Sequence, residues 1–290
     1  MRSMVDFHAF ANGRVMCSDA ATAPVSVVVP CYRCGATIGD AVASIAAQTL
    51  PPRQVLLVDD ASGDGTLDAL HAVAAQYPTG WVEVLALAEN GGPSRARNAG
   101  WAQATQEYIA FLDSDDTWAP TKLELQLRAL RADPRIALIA HGMKVCERGS
   151  APSAPTDART RIVGRRRLLF NNPFPTASVV LRRDLPYRFN EKFRRVEDFL
   201  LWGQIAFSGH RCAKLDRVLA YWHKANYGAG GLSEDLKAMH QAGREVRREL
   251  LRQGLVSLPE HCFARSIGTL RKLRQRMILA LRRAQMGASS

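Results

Sequence analysis

The stretch Tyr108-Ile-Ala-Phe-Leu-Asp-Ser-Asp-Asp116 joins a short apolar run to a cluster of carboxylates. The run Tyr108–Leu112 has the length and the aromatic and β-branched content of a buried β-strand. A second apolar run, Gln54–Val58, ends in the same way at Asp59-Asp60. Because parallel strands end at one edge of a sheet, these acidic residues are predicted to form a polar site there.

Strands and helices alternate along the first half of the chain. The predicted strands are Val25–Val29, Gln54–Val58, Trp81–Leu87 and Tyr108–Leu112, and the predicted helices are Ala36–Gln48, Thr66–Gln76, Ser94–Ala104 and Lys122–Arg131. This alternation predicts the α/β class, with a Rossmann-like, mostly parallel sheet flanked by helices.

The second half of the chain predicts further elements and an appendage. The predicted strands are Thr176–Leu181 and His210–Ala220, and the predicted helices are Val196–Phe207, Leu236–Leu251 and Cys262–Ala284. We expect an N-terminal extension over residues 1–23, an α/β domain over residues 24–232 and a helical tail over residues 233–290. Within the domain, residues 24–118 carry the strand-end carboxylates, and residues 119–232 form the other half.

The net charge of +12 is concentrated in the tail, where residues 236–290 carry 12 Lys and Arg against 3 Asp and Glu. The tail contains no recognised nucleic-acid motif, so we expect no nucleic-acid partner, although charge alone permits one. Cys262–Ala284 interleaves arginines with apolar residues at helical spacing, which favours docking on an anionic membrane surface. The alternative is that its apolar stripe packs on the domain.

Neither end of the chain carries an obvious membrane anchor. Met1–Ala23 lacks the apolar core of a signal peptide, and no run approaches the length of a membrane-spanning helix. The expected location is therefore the cytoplasm, peripheral to the inner face of the cell membrane. The scattered cysteines, including the lone pair Cys31 and Cys34, predict neither a disulfide framework nor a zinc site.

The strand-end carboxylates have two interpretations each. Asp113 and Asp115 either converge on a Mg²⁺ or Mn²⁺ ion or form a solvated acidic turn. Asp59 and Asp60 either accept hydrogen bonds from a nucleotide or take part in capping the next helix.

Two further segments carry candidate residues. Asn90-Gly-Gly-Pro-Ser-Arg-Ala-Arg-Asn98 puts glycines and two cations at a helix start, where they either contact phosphate or remain solvated. Glu197-Asp198 begins a predicted helix. These acids either take part in catalysis or only interact favourably with the helix dipole.

The ordered set of motifs resembles the family 2 glycosyltransferases of the GT-A fold. The motifs are Val25-Ser-Val-Val-Val-Pro-Cys-Tyr32, Val58-Asp-Asp-Ala-Ser-Gly-Asp-Gly-Thr66, Asn90-Gly-Gly-Pro-Ser-Arg-Ala-Arg-Asn-Ala-Gly100, Phe111-Leu-Asp-Ser-Asp-Asp116 and Glu197-Asp-Phe-Leu-Leu-Trp202. Each motif is weakly specific alone, whereas their shared order is highly specific. The resemblance extends from Pro24 to Tyr227.

This resemblance implies an inverting enzyme that uses a nucleoside-diphosphate-sugar, often a UDP-sugar, and a divalent metal, Mn²⁺ or Mg²⁺. It implies a glycan or lipid-linked acceptor on residues 119–232, as in cell-surface polysaccharide synthesis. By position, the nucleotide-sugar contacts are Pro30, Tyr32, Asp59, Asp60, Arg97, Asp113 and Ser114. Asp115 is the expected metal ligand, His223 is a further one, and Asp198 is the expected general base.

Two features depart from the family pattern. Arg33 stands where many relatives have Asn, and the Arg-rich segment 149–170 matches no motif. Two rival functions also remain open at the level of sequence. One is a nucleic-acid- or membrane-binding protein that uses the basic tail, and the other is a nucleotidyltransferase on a related fold, which requires a basic Gly-rich signature near the first strand.

Overall fold

The structure is a computed structural model, and it describes residues 10–11, 14–15, 21–148, 154–193, 195–223 and 236–266. Its first half alternates β-strands with α-helices, as the sequence predicts. The elements are β1 (Ala23–Cys31), α1 (Ile38–Ala46), β2 (Pro52–Asp59), α2 (Thr66–Ala74), β3 (Val82–Ala86), α3 (Pro93–Gln103) and β4 (Tyr108–Phe111). A separate pair of two-residue strands, Phe10–Ala11 and Arg14–Val15, precedes them.

The second half adds strands of both directions and three helices. The elements are β5 (Asp116–Trp118), α4 (Lys122–Ala132), β6 (Ile136–Val145), β7 (Thr160–Ile162), β8 (Val180–Arg182), α5 (Glu197–Phe207), β9 (Arg211–Trp222) and α6 (Leu236–Arg252). Two short 3₁₀ turns, Arg165–Leu169 and Thr176–Ser178, lie between β7 and β8. Residues 258–266 are also helical.

One mixed sheet of nine strands organises the described part of the chain. Its order is β3-β2-β1-β4-β8-β6-β9-β5, and β7 pairs with β9. The expected parallel pairing is confirmed for β1 to β4 and also joins β6 to β9. Strands β5, β7 and β8 run antiparallel to their neighbours. The α/β class is therefore confirmed, with an added antiparallel component in the second half.

Two apolar layers cover the two faces of this sheet. One layer joins α1, α2 and α4 to the sheet, and the other joins α3, α5 and α6. Residues of β1 alternate between them, since Val27 and Val29 belong to the first layer and Val28 to the second. Because both faces are covered, β1 is an almost continuous apolar run, as expected of a central parallel strand.

The tail differs from the separate appendage that we expected. Val246 and Leu250 of α6 are fully buried, and they pack into the layer formed by α3 and α5. Gly203 of α5 permits this approach, since a Cβ at that position would lie 2.9 Å from a methyl carbon of Leu250. This part of the tail therefore belongs to the α/β fold. Most of the predicted helix Cys262–Ala284 lies outside the described residues.

The predicted strand Thr176–Leu181 is shorter and begins later than expected. Residues Thr176–Ser178 form a 3₁₀ turn instead, closed by a hydrogen bond from Ser178 Oγ to the carbonyl of Pro175. The indole of Trp118 also donates to the carbonyl of Ala177, which fixes this turn beneath β5. Over the residues that the structure describes, no helix is both long and apolar enough to span a membrane.

Candidate active site

The carboxyl ends of β1, β2 and β4 bring together the residues singled out in the sequence. The β1–β2 register pairs Cys31 with Asp59, and β4 lies beside β1 on the other side. Pro30 and Tyr32 lie at the end of β1, and Tyr32 leaves about half of its surface exposed, at 47%. This edge therefore presents an exposed aromatic ring beside two groups of carboxylates, as the strand-end pattern predicts.

Asp59 and Asp60 are buried and already hold local structure. Asp59 accepts hydrogen bonds from the hydroxyl and the backbone amide of Ser62. Asp60 accepts from the amides of Gly91 and Gly92 at 2.9 and 2.7 Å. It thereby fixes the glycine loop against the end of β2. The predicted nucleotide contacts of these two carboxylates remain predictions, and the observed bonds also give both residues an organising role.

Arg97 connects the two halves of the site. Its buried guanidinium donates to Asp113 Oδ1 at 2.7 Å and to Glu197 Oε1 at 2.8 Å. The two carboxylates raise the pKa of Arg97 despite its burial, so it remains a cation. The predicted contact of Arg97 with the nucleotide-sugar stays a prediction. The structure gives its guanidinium two carboxylate partners, which tie the end of β4 to the start of α5.

Asp198 lies in the first turn of α5, next to Glu197. Its Oδ2 accepts hydrogen bonds from Asn172 Nδ2 at 2.7 Å and from Thr176 Oγ1 at 3.1 Å. Burial, followed by the negative charge of Glu197, raises the pKa of Asp198 to about 6. A carboxylate with such a pKa is ionised at neutral pH and is a much stronger base than an ordinary aspartate.

Asp115 and His223, the two predicted metal ligands, lie just beyond the ends of two paired strands. β5 pairs with β9 so that Asp116 faces Trp222, and the pairing ends there. Asp115 is the residue before β5, in a turn, and His223 is the residue after β9. Their joint role as metal ligands stays a prediction.

The hydrogen bonds of His223 set its tautomer. Nδ1 lies 3.0 Å from the carbonyl oxygen of Cys146, and Nε2 lies 2.8 Å from Thr117 Oγ1. A carbonyl only accepts, so the neutral ring carries its proton on Nδ1 and has its lone pair on Nε2. This tautomer is the one that a metal-binding Nε2 requires. No cluster of three or more His, Cys, Asp or Glu side chains suited to a metal occurs among the described residues.

Ser114 contacts the buried thiol of Cys34. A hydrogen bond with Cys31 lowers the pKa of Cys34, and a further one with Ser114 acts in the same direction. Both cysteines are free thiols. Ser114 therefore has a partner in the loop that follows β1, two residues after Tyr32, and its nucleotide-sugar contact stays a prediction.

Sequence reasoning missed Asn172 and Thr176 as partners of Asp198, and it missed the Arg97–Glu197 ion pair. Asn172 lies in the segment between the two 3₁₀ turns, which has no apolar periodicity to predict its path. Thr176 begins the second turn, where the sequence predicted a strand. Arg97 and Glu197 are 100 residues apart. Only their membership of two motifs in one ordered set offered a signal that they meet.

Comparisons with known proteins agree with this architecture. A family model described as glycosyl transferase family 2 matches residues 26–188. The succinoglycan biosynthesis protein ExoO of Rhizobium meliloti is 32% identical over 203 residues, which cover 65% of this chain and 57% of ExoO. A UDP-Glc:α-D-GlcNAc-diphosphoundecaprenol β-1,3-glucosyltransferase of Escherichia coli, WfgD, is 28% identical over 178 residues, covering 61% of this chain and 68% of WfgD. A Bacillus subtilis protein named for teichuronic acid biosynthesis, TuaG, is 43% identical over 105 residues, 36% of this chain and 40% of TuaG.

Solved structures share the fold. Staphylococcus aureus TarS in complex with UDP-GlcNAc superposes with a TM-score of 0.61 at 24% identity, covering 78% of this chain and 66% of that one. A Pyrobaculum calidifontis mannosyltransferase in complex with GDP-Man and Mn²⁺ superposes with a TM-score of 0.56 at 19% identity, covering 87% and 83%. These likenesses show a GT-A fold, and the family match extends over more than half of the sequence. The chain therefore belongs to glycosyl transferase family 2.

Proposed function

We propose that this enzyme transfers a sugar, with inversion, from a nucleoside-diphosphate-sugar to a hydroxyl group of a glycan or lipid-linked acceptor. The observation that carries the proposal is the environment of Asp198, a half-buried carboxylate with a pKa of about 6 that is linked through Glu197 and Arg97 to Asp113. This arrangement couples a base on α5 to the strand end where the donor is expected. A UDP-sugar is the proposed donor class, used in cell-surface polysaccharide synthesis.

The proposed reaction is a single displacement. The acceptor hydroxyl donates its proton to an Asp198 carboxylate oxygen while its oxygen forms a bond to the anomeric carbon. The bond from that carbon to the donor phosphate breaks, and the electron pair leaves with the nucleoside diphosphate. Asn172 and Thr176 hold Oδ2 of Asp198, so the carboxylate is oriented before the acceptor binds.

The residues at the β5–β9 edge fit a Mn²⁺ or Mg²⁺ ion. Asp115 would supply a carboxylate, and His223 would supply Nε2 once its hydrogen bond with the Thr117 hydroxyl is released. Donor phosphate oxygens and water would complete the usual coordination of such ions. When bound, the ion neutralises charge that develops on the leaving diphosphate. Asp113, Ser114, Pro30 and Tyr32 are the proposed contacts to the sugar and the nucleotide.

Titration calorimetry of UDP-sugars with and without Mn²⁺ tests this assignment. Asp115→Ala is expected to abolish the part of donor affinity that depends on the metal. Asp68→Ala is the control, because Asp68 is an exposed carboxylate on α2. Metal-dependent affinity that survives in Asp115→Ala would show that Asp115 is not a ligand.

The expected cellular location follows from the proposed acceptor. We place the enzyme in the cytoplasm at the inner face of the cell membrane, because a lipid-linked acceptor is held there. The basic residues beyond α6 support this placement, since residues 267–290 carry six Lys and Arg and no Asp or Glu. No nucleic-acid partner is expected.

A further inference from the structure

A cleft of about 290 Å³ opens beside α5 and belongs to no part of the site described above. It is lined by Arg166, Leu169, Phe170, Pro259, Glu260 and Phe263. Phe170 and Phe263 meet edge to face, with ring centroids 6.1 Å apart, and Phe263 leaves 60% of its surface exposed. Phe263 and the apolar cleft together form a surface with a polar rim, and large surfaces of this kind are typical of interaction sites.

The same surface carries an excess of positive charge. Arg165, Arg166 and Arg167 are consecutive and exposed. The carboxylate of Glu260 lies 3.7 Å from Arg165, so it offsets one of these charges. Arg167 also lowers the pKa of the neighbouring Lys214, an effect second to that of burial. The cleft therefore combines an apolar floor with a cationic rim, which is the complement of a lipid that carries phosphate.

One segment of chain runs from this cleft to the proposed base. The 3₁₀ turn Arg165–Leu169 leads through Phe170 to Asn172, which donates to Asp198. Two residues span at most about 7 Å, so Phe170 in the cleft lining lies within about 7 Å of Asn172, the residue that donates to the proposed base. Arg165 packs over the ring of Phe207 at the far end of α5. The cationic rim thus extends along α5, away from the base.

The geometry points to a binding site for the lipid-phosphate part of the acceptor, with the phosphate on Arg166 and Arg167 and the first part of the lipid chain against Leu169, Phe170 and Phe263. This inference rests on the proposed function and deepens it, because it selects a lipid-linked acceptor over a free glycan. The sugar of such an acceptor would lie between the phosphate and Asp198. Arg166, Leu169 and Phe170 of the Arg-rich segment 149–170, which matches no motif, thereby acquire a role.

Binding of the full-length protein to vesicles tests the inference. One set of vesicles contains phosphatidylcholine with a polyprenyl diphosphate, and the other contains phosphatidylcholine with phosphatidylglycerol at equal negative charge. The expected result is much tighter binding to the polyprenyl diphosphate vesicles. R166A/R167A is expected to weaken that binding roughly 25-fold, at about fivefold for each basic side chain near lipid phosphate. Phe263→Ser is expected to weaken it about tenfold.

Matched variants distinguish binding in the cleft from a general effect of surface charge or surface hydrophobicity. R53A/R131A removes two exposed arginines at the amino edge of the sheet and is expected to leave binding unchanged. Leu258→Ser removes an apolar side chain that is 62% exposed and lies on the same helix as Phe263 but outside the cleft lining. It too is expected to have no effect. Thermal unfolding of every variant checks that the fold is retained.

Three outcomes would overturn the inference. Equal binding to both vesicle types would indicate a general anionic surface. Lipid-selective binding that R166A/R167A and Phe263→Ser leave intact would assign the lipid to another part of the chain, including residues 267–290. Absence of lipid binding would show that the cleft is not a lipid-binding site. The affinity for the nucleotide-sugar donor is measured on the same samples. If the unmodified protein does not bind the donor, the proposed sugar transfer itself is contradicted, whatever the result for lipid.

Discussion

At the scale of single residues, two sets of interactions act in opposite directions on the negative charge of Asp198. Burial and the adjacent Glu197 disfavour its negative charge, whereas Arg97 and the hydrogen bonds from Thr176 and the amide of Phe199 favour it. The balance leaves the pKa at about 6. The carboxylate is therefore ionised at neutral pH yet basic enough to help remove a proton, which is the compromise that general-base catalysis requires.

Asp198→Asn is expected to retain donor binding and lose turnover. The amide cannot accept the acceptor proton, and loss of a general base costs about 10²–10⁴-fold in kcat. Steady-state kinetics with calorimetry of the donor checks both statements. Asp184→Asn, at an exposed carboxylate paired with Arg182, is the matched control and is expected to behave as the unmodified enzyme. Near-normal turnover in Asp198→Asn would assign the base elsewhere.

The pH dependence of kcat provides a separate test of the same environment. Only ionised Asp198 accepts a proton, so kcat is expected to rise with pH through an apparent pKa near 6. Glu197→Gln removes a negative charge that raises this pKa and is expected to shift the acid limb to lower pH. Glu197→Asp keeps the charge and is expected to shift it less. An acid limb that stays in place or moves to higher pH in Glu197→Gln would contradict the electrostatic account.

At the scale of secondary structure, close approach of α3 to the sheet depends on one glycine. A Cβ at Gly100 would lie 2.4 Å from a methyl carbon of Val28 and 3.1 Å from one of Val58. Both valines are fully buried in central strands, so neither has space to move. The motif glycine thus brings α3 against β1 and β2, which places Arg97 at the carboxyl ends of those strands.

Gly100→Ala is expected to destabilise the protein by about 1–3 kcal/mol, because overpacking a filled core forces its neighbours out of position. Gly39→Ala on α1 is the matched control. A Cβ at Gly39 meets nothing within 4 Å, so alanine is expected to be neutral or to stabilise the helix by about 0.5–1 kcal/mol. Urea denaturation compares the two. Equal changes in the free energy of unfolding would show that contact with Val28 does not exclude a side chain at position 100.

Elements with a strong local pattern were predictable from sequence, and those that depend on distant pairing were not. The apolar runs of β1, β2 and β4 predicted their positions to within two residues at each end. No element was predicted for Asp116–Trp118 or Ile136–Val145. The three residues of β5 are too few to show a period, and β6 contains His141, Gly142 and Lys144, which interrupt its apolar run. Their pairing with β9 defines both strands.

The candidate site, like the fold, was predictable from sequence only in part. Its strand-end carboxylates follow from sequence, because every parallel strand delivers its carboxyl end to one edge. The partners that tune them do not follow, since Asn172 and Thr176 reach Asp198 through irregular chain, and Arg97 reaches Glu197 from the other half of the fold. Sequence motifs therefore predicted the candidate residues, whereas the structure shows how their charges interact.

At the scale of the whole molecule, the layer formed by α3, α5 and α6 joins the tail to the site. α5 carries Asp198 at its start and contacts α6 along its length, with Gly203 against Leu250. The charge of the tail is compatible with this packing, because the basic side chains Arg244 and Arg248 lie on the exposed side of α6. Residues 236–252 thus support the helix that carries the proposed base, in addition to any role in membrane docking.

Leu250→Ala tests whether this part of the tail is structural. Leu250 is fully buried, and truncation of a buried leucine costs about 2–5 kcal/mol because it removes apolar contacts and leaves a cavity. Arg248→Ala on the exposed side of α6 is the matched control and is expected to change stability by less than about 0.5 kcal/mol. Since α6 shares one core with α5, Leu250→Ala is also expected to lower the midpoint of a single cooperative transition. If α6 were an independent appendage, Leu250→Ala would lose helix early, as measured by circular dichroism. The tryptophan fluorescence of the core, including Trp202 on α5, would then keep the midpoint of the unmodified protein.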